Sequence, residues 1–184
     1  SFAKENKEFQ VVDDSRLIRY LAKHNHWSPF GHASLQFHVT APVFVARQLV
    51  KHQVGLVWNE VSRRYVDSEP EFHFVEEWRG SPDNKKQGSS DEVIDISTHI
   101  QEDYINMCTY TYRYLLDKGV CPEQARMVLP QSMMTEWYWS GTLMAFARVC
   151  NLRCKEDAQK ETQDIAYSID SLCRTQFPVS WNAL

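Results

Sequence analysis

The chain has 184 residues, enough for one domain with a sizeable core, and its 43% hydrophobic share is ordinary for a globular protein. A net charge of −4 provides no overall basic field, which argues against a nucleic-acid or acidic-membrane partner. No apolar run approaches the roughly 20 residues that span a bilayer.

The elements follow in chain order. Residues 13–24 predict a helix, capped by Asp13, Asp14 or Ser15 and striped by Leu17, Ile18, Leu21 and Ala22. A loop follows from Asn25 to Gly31. Residues 33–39 alternate as a strand does, with Leu35, Phe37 and Val39 on one face and Gln36 and His38 on the other. Thr40 is expected to cap a helix with Pro42 in its first turn, running to about His52. Residues 53–62 predict an irregular loop interrupted by Gly55, and Arg64–Asp67 and Glu71–Val75 predict short strands. The polar, glycine-bearing run 80–90 is expected to be a flexible surface loop.

A long helix is expected next. Ser89 and Glu92 offer a capping box, Val93, Ile96, Ile100, Tyr104, Met107, Thr111 and Tyr114 recur at helical spacing, and Gly119 supplies the stop. Pro122 opens a short helix to Leu129, residues 135–139 form an aromatic strand, and 141–152 and 156–176 form helices. This mixture is α+β in a single domain. No strand, glycine-rich loop and helix occur in succession, which excludes a dinucleotide-binding Rossmann unit and a P-loop.

Five cysteines, an odd number scattered over helical patterns, predict free thiols in a reducing, cytoplasmic setting. Histidines 24, 26, 32 and 38 match no zinc-ligand spacing, so no metal is expected. Cys121 predicts a helix cap, and Cys150 with Cys154 predicts structural thiols.

The arginines carry more. Arg47, Gln48, Lys51 and His52 follow the apolar run Pro42–Ala46, with Arg47 above Lys51 and Gln48 above His52 on a helix. Asn59-Glu60-Val61-Ser62-Arg63-Arg64-Tyr65 comes soon after. Arg126 sits inside Ala125–Pro130, and Arg153 closes an apolar helix. For one buried arginine an ion pair with Asp or Glu is an adequate explanation. Glu60 cannot serve all of these cations, and guanidinium forks suit phosphate and planar carbonyl groups, so an anionic ligand is expected here.

These residues resemble the flavin-dependent thymidylate synthases (ThyX). That family carries Arg-His-Arg, seven residues and Ser within a longer signature. Here the run reads Lys51-His52-Gln53, eight residues and Ser62, with Asn59-Glu60-Val61-Ser62-Arg63-Arg64-Tyr65 in register. Ser28–His32, Ala41–Gln48, Ala125–Pro130, Asn151–Arg153 and Ala158–Glu161 match in order, so the resemblance covers nearly the whole chain. Lys51 and Gln53 replace the two signature arginines, and Thr142, Arg148 and Asp157 also depart from the usual residues. Ser1 resembles a position after a first family strand, so roughly thirty residues are expected to precede it.

The resemblance implies a ThyX-like twisted antiparallel sheet flanked by helices, assembled as a homotetramer with shared active sites. It implies FAD as cofactor, with dUMP converted to dTMP using methylenetetrahydrofolate as carbon donor and NADPH as reductant. It assigns Gln48, Lys51, Glu60, Ser62, Arg63, Arg64 and Arg126 to the nucleotide, Arg63 through its backbone. Arg153 is implied as the catalytic group at the uracil edge, where it stabilises developing negative charge. Ser28, Lys51, His52, Gln53 and Glu60 are implied as FAD contacts. Two other classes remain open: a flavin- or nucleotide-binding protein without turnover, and a nucleic-acid module using Arg63, Arg64 and the Trp-rich strand.

Overall fold

The computed structural model describes residues 11–65, 68–83 and 88–184. The expected N-terminal helix forms as α1 (Val11–Lys23), with Asp13 and Asp14 in its positive first turn. Asn25 takes φ 57°, a left-handed conformation that asparagine tolerates, and His26 N–H closes onto the Leu21 carbonyl at 2.9 Å. The expected loop then holds one helical turn, α2 (Ser28–Gly31), where Pro29 presets φ and Phe30 is buried.

Strand β1 spans Ser34–Pro42, and helix α3 is confined to Val43–Leu49. The helix expected from Thr40 is displaced because Thr40, Ala41 and Pro42 pair with Glu136, Thr135 and Met134. Ladder hydrogen bonds along three residues outweigh a single cap. The expected loop 53–62 is instead β2 (Leu56–Glu60). Gly55 turns the chain at φ 76°, and Leu56, Trp58 and Glu60 alternate with Val57 and Asn59 as a half-buried strand requires.

Among the described residues the main sheet is antiparallel in the order β1–β5–β2, where β5 is Met134–Thr142. Trp139 lies between Phe37 and Trp58, and Trp137 between Val39 and Glu60. Both indoles of β5 are fully buried. Trp58 stacks on Trp137 at 4.2 Å, and Trp139 meets Phe146 edge-on at 5.3 Å. Phe146 belongs to α6 (Leu143–Arg153), whose first turn is capped by Thr142 Oγ1 accepting from Ala145 N–H at 3.2 Å. Behind α6 lie α7 (Lys160–Gln176) and α8 (Pro178–Ala183); α8 packs on α1 and has Pro178 at its first position.

A second sheet is a ribbon of β3 (Trp78–Arg79) and β4 (Val93–Ile94). It overturns the expected capping box: Gly80 N–H donates to the Glu92 carbonyl at 2.8 Å, and Ser90 N–H to the Gly80 carbonyl at 2.9 Å. The long helix α4 therefore starts at His99 and runs to Asp117, leaving Val93 and Ile96 outside it. Gly119 at φ 85° ends it as expected. Its buried residues are Ile105, Cys108 and Tyr112, while the stripe Ile100, Tyr104, Met107 and Tyr114 faces outward. Helical spacing identified a face but not which face meets the core.

Two short strands expected earlier do not form as such. Arg64 and Tyr65 lie in a turn and Asp67 falls outside the described residues; Glu71–Val75 contributes one bridge, Phe72 to Met133. In the expected flexible loop 80–90, residues 84–87 lie outside the described residues. Helix α5 (Pro122–Ala125) and a 3-10 turn (Arg126–Val128) occupy the predicted short helix, with Cys121 at the N-cap. The architecture is α+β, antiparallel sheets flanked by helices.

Candidate active site

The sheet and α3 deliver the cationic residues to two neighbouring places. The first is a cleft of about 440 Å³ lined by Glu60, Ser62, Arg63 and Arg126, with Val43, Met127 and Thr135 among its walls. Glu60 is the last residue of β2, and β5 beside it supplies Thr135, whose hydroxyl donates to Glu60 Oε1 at 2.8 Å. Trp58 Nε1 donates to the other oxygen at 3.4 Å. The carboxylate is thus oriented by neutral donors. Arg126 stands at the start of the 3-10 turn, and its Nε donates to the Glu123 carbonyl at 3.3 Å.

Arg63 donates from Nη2 to the Ser68 carbonyl and lies 5.9 Å above the Tyr112 ring. Its Nε is buried without a hydrogen-bond partner. Ser62 Oγ accepts from Arg64 N–H and Arg64 Nε, each at 3.3 Å, and the Arg64 guanidinium covers Tyr65.

The second place joins the end of α3 to α6 and α7. Arg153 Nε donates to His52 Nε2 at 3.0 Å, and its Nη2 reaches the Gln48 carbonyl at 3.5 Å. Burial, then the positive charges of Arg153 and Arg148, hold the His52 imidazole below its ordinary value of 6.5. The ring is therefore neutral near pH 7, with Nε2 accepting and the proton on Nδ1. Gln48 Nε2 donates to Gln159 Oε1, and Thr162 Oγ1 donates to Gln48 Oε1 at 3.2 Å.

Gln48, His52 and Arg153 do not line the Glu60–Arg126 cleft, so one chain does not close the expected residues into a single pocket. Arg47, Lys51 and Gln53 are exposed, as is Ser28 in α2. The helix expected to run to about His52 ends at Leu49, and of the Arg47–His52 polar row only Gln48 and His52 are half-buried. Among the described residues, none of Arg63, Arg64, Arg126 and Arg153 pairs with a carboxylate; their partners are carbonyls, a hydroxyl and an imidazole. Carboxylates pair elsewhere, as in Arg79–Glu161 and Arg113–Glu69.

Sequence reasoning assigned no role to Thr135, Gln159 or Thr162. Gln159 stood in the matched run Ala158–Glu161; Thr135 carried no local signal, because only strand pairing sets it beside Glu60. Two core cysteines are poor nucleophiles: burial pushes the Cys173 thiol up to about 12 and raises the Cys150 thiol as well.

A family profile described as thymidylate synthase complementing protein matches residues 1–179. The flavin-dependent thymidylate synthase of Kosmotoga olearia is 36% identical over 174 residues, spanning 92% of this chain and 75% of the relative. The enzyme of that name from Thermus thermophilus is 38% identical, with 94% of this chain and 64% of the relative covered. The one from Dictyostelium discoideum is 36% identical over 184 residues, and the match covers 95% of this chain but 59% of that protein. The chain belongs to the flavin-dependent thymidylate synthase family. Among solved structures, the UMP/dUMP methylase PolB from Streptomyces cacaoi, bound with 5-Br dUMP, superposes with a TM-score of 0.84. It is 26% identical, and the match covers 97% of this chain and 81% of that one.

Proposed function

We propose that residues 1–184 form one synthase domain that methylates dUMP to dTMP, with FAD as cofactor, methylenetetrahydrofolate as carbon donor and NADPH as reductant. The observation that carries the reading is the set of arginines, Arg63, Arg64, Arg126 and Arg153, that approach carbonyls, a hydroxyl and a neutral imidazole but no carboxylate among the described residues. Cationic forks held this way retain their charge for an anionic nucleotide. Family membership and the likeness to a dUMP methylase support the same assignment.

In this reading the Glu60–Arg126 cleft takes part of the nucleotide. Glu60, with its two neutral donors, accepts from a sugar hydroxyl, Ser62 positions the substrate, and Arg64 and Arg126 meet the phosphate. Arg63 contributes its backbone. Gln48 and Arg153 face the base, where Arg153 stabilises negative charge on the uracil ring and so activates carbon 5. His52 fixes Arg153 by accepting its Nε–H, which leaves the guanidinium's other edge for the ring.

The residues around His52 fit the pyrophosphate of FAD. Lys51 and Arg148 are exposed cations, Arg148 close enough to lower the His52 pKa, and Arg148 offsets the charge lost where Gln53 replaces an arginine. Ser28, Lys51, His52, Gln53 and Glu60 would hold the cofactor, and FAD would supply the redox chemistry that no side chain here offers.

Shared sites in a homotetramer account for two half-sites on one chain, and the outward apolar stripe of α4 suits a subunit interface. The free thiols fit a reducing, cytoplasmic setting.

The test is an absorbance spectrum of the purified protein, bleaching by NADPH, and dTMP detection with dUMP and methylenetetrahydrofolate. Arg153→Ala is expected to abolish dTMP formation while flavin absorbance stays; near-normal turnover would refute its role. A yellow protein that oxidises NADPH but makes no dTMP would point to the binding protein without turnover. Steeply salt-dependent binding to nucleic acid would point to the third class.

A further inference from the structure

Gln48 is held at both ends of its carboxamide by the start of α7, through Gln159 and the fully buried Thr162. The oxygen of Gln159 is committed to Gln48, so the NH2 of Gln159 needs an acceptor. Glu161 stands two residues on with a side chain only 12% exposed. Its Oε1 takes Arg79 Nη2 at 2.5 Å, while its Oε2 is buried without a hydrogen-bond partner. Arg79 projects from β3 and is steadied by Ser89 Oγ, which accepts its Nε–H at 3.0 Å. Burial pushes the Glu161 carboxyl up, but Arg79, the backbone and the Gln159 side chain outweigh it and hold the group below its ordinary value. It is a carboxylate at neutral pH, an acceptor with nothing to donate. A cavity of about 320 Å³ opens along this row, bounded by Phe44, His73, Arg79, Gln159 and Glu161.

We propose that Arg79, Glu161 and Gln159 are positioning residues that set which way the Gln48 amide faces its substrate. The inference rests on the assignment of Gln48 to the dUMP base. A carboxylate at the head of the row requires Gln159 to turn its NH2 toward Glu161 and its oxygen toward Gln48. Gln48 must then turn its own NH2 toward Gln159 and its oxygen toward Thr162. If Gln159 flipped, two acceptors would meet at Glu161 and two donors at Gln48. The remaining N–H of Gln48 is thereby fixed as a donor in one place, on the residue whose backbone carbonyl takes the Arg153 guanidinium. An ion pair between the β3–β4 ribbon and α7 thus acts on the nucleotide pocket without touching the nucleotide.

The test is a set of dUMP affinities on flavin-loaded protein. Glu161→Gln keeps the volume but can donate, so the row loses its direction. It is expected to weaken dUMP binding about five- to tenfold, the size of one hydrogen bond misaligned, with flavin content unchanged. Arg79→Met is expected to do the same, and Arg79→Lys, which keeps the ion pair, to stay near wild type. In a Gln48→Leu background, Glu161→Gln is expected to add nothing. Equal losses in both backgrounds would mean general loosening and would overturn the relay. If wild-type protein binds no dUMP, the substrate assignment fails instead. The relay is then decided by the Gln48 side-chain amide in proton–nitrogen spectra of protein without nucleotide, identified by its loss in Gln48→Leu. Those signals are expected to shift in Glu161→Gln and to hold in Arg79→Lys; unmoved signals in Glu161→Gln would overturn it.

Discussion

Replacing Gly141 by alanine tests whether the central strand controls the site from a distance. Gly141 lies in β5 opposite both Leu35 and Leu56. A Cβ there would stand 2.5 Å from the Gly55 carbonyl oxygen and 2.5 Å from Leu56 Cδ2. Comfortable carbon contacts lie near 3.5–4.0 Å, so the neighbours must retreat by about 1 Å. The Leu56 side chain can rotate away. The Gly55 carbonyl cannot do so without lengthening the hydrogen bond it accepts from Thr142 N–H at 3.2 Å. Overpacking costs about 1–3 kcal/mol and a weakened ladder bond about 1 kcal/mol, so the expected loss is about 3 kcal/mol. For a domain of this size that is a fall in Tm of about 6–12 °C, measured by circular dichroism. Because β2 carries Glu60 at its far end, dUMP affinity is expected to fall as well. A Tm within about 2 °C of wild type would refute the reasoning.

Two further predictions concern the cations and His52. Lys51→Ala is expected to weaken FAD and dUMP together, read by flavin retention and by nucleotide titration; a loss confined to one ligand would mean that Lys51 does not bridge them. The His52 pKa is depressed in the folded state, so the unfolded chain binds more protons than the folded one as pH falls below 6.5. This contribution to stability is intact above pH 6.5, declines as pH falls toward the folded value, and changes no further below it. Urea midpoints of wild type and His52→Gln on either side of pH 6.5 measure it, and identical pH dependence in the two proteins would sink the assignment.

Much of the fold was legible because some signals are local. Alternation at Leu35, Phe37 and Val39, the apolar stripe of α1, and Gly119 as a helix stop each involve a few adjacent residues; the caps expected at Asp13, Asp14 or Ser15 instead lie inside α1, which starts at Val11. What failed depended on partners distant in sequence. Leu56–Glu60 has the alternation of a strand, but Gly55 and two polar residues hid it until β5 supplied the ladder. Ser89 and Glu92 have the chemistry of a capping box, yet Gly80 claims the backbone of Ser90 and Glu92 for the ribbon. The stripe on α4 is periodic as expected from Ile100 to Tyr114, yet it faces outward, because period alone does not say which side is covered.

For the site, sequence by itself determined the side-chain chemistry: arginine forks in excess of nearby carboxylates, in an order that matches a flavin-dependent family. Tertiary structure decided how those forks are held. It set Thr135 beside Glu60, gave Arg153 a neutral histidine in place of a carboxylate, and bound Gln48 to the start of α7. It also divided the set between two places on the chain. The physical reason is range. A guanidinium's charge is written in its residue type, whereas its partner depends on hydrogen bonds between residues about a hundred positions apart, such as Arg153 and His52.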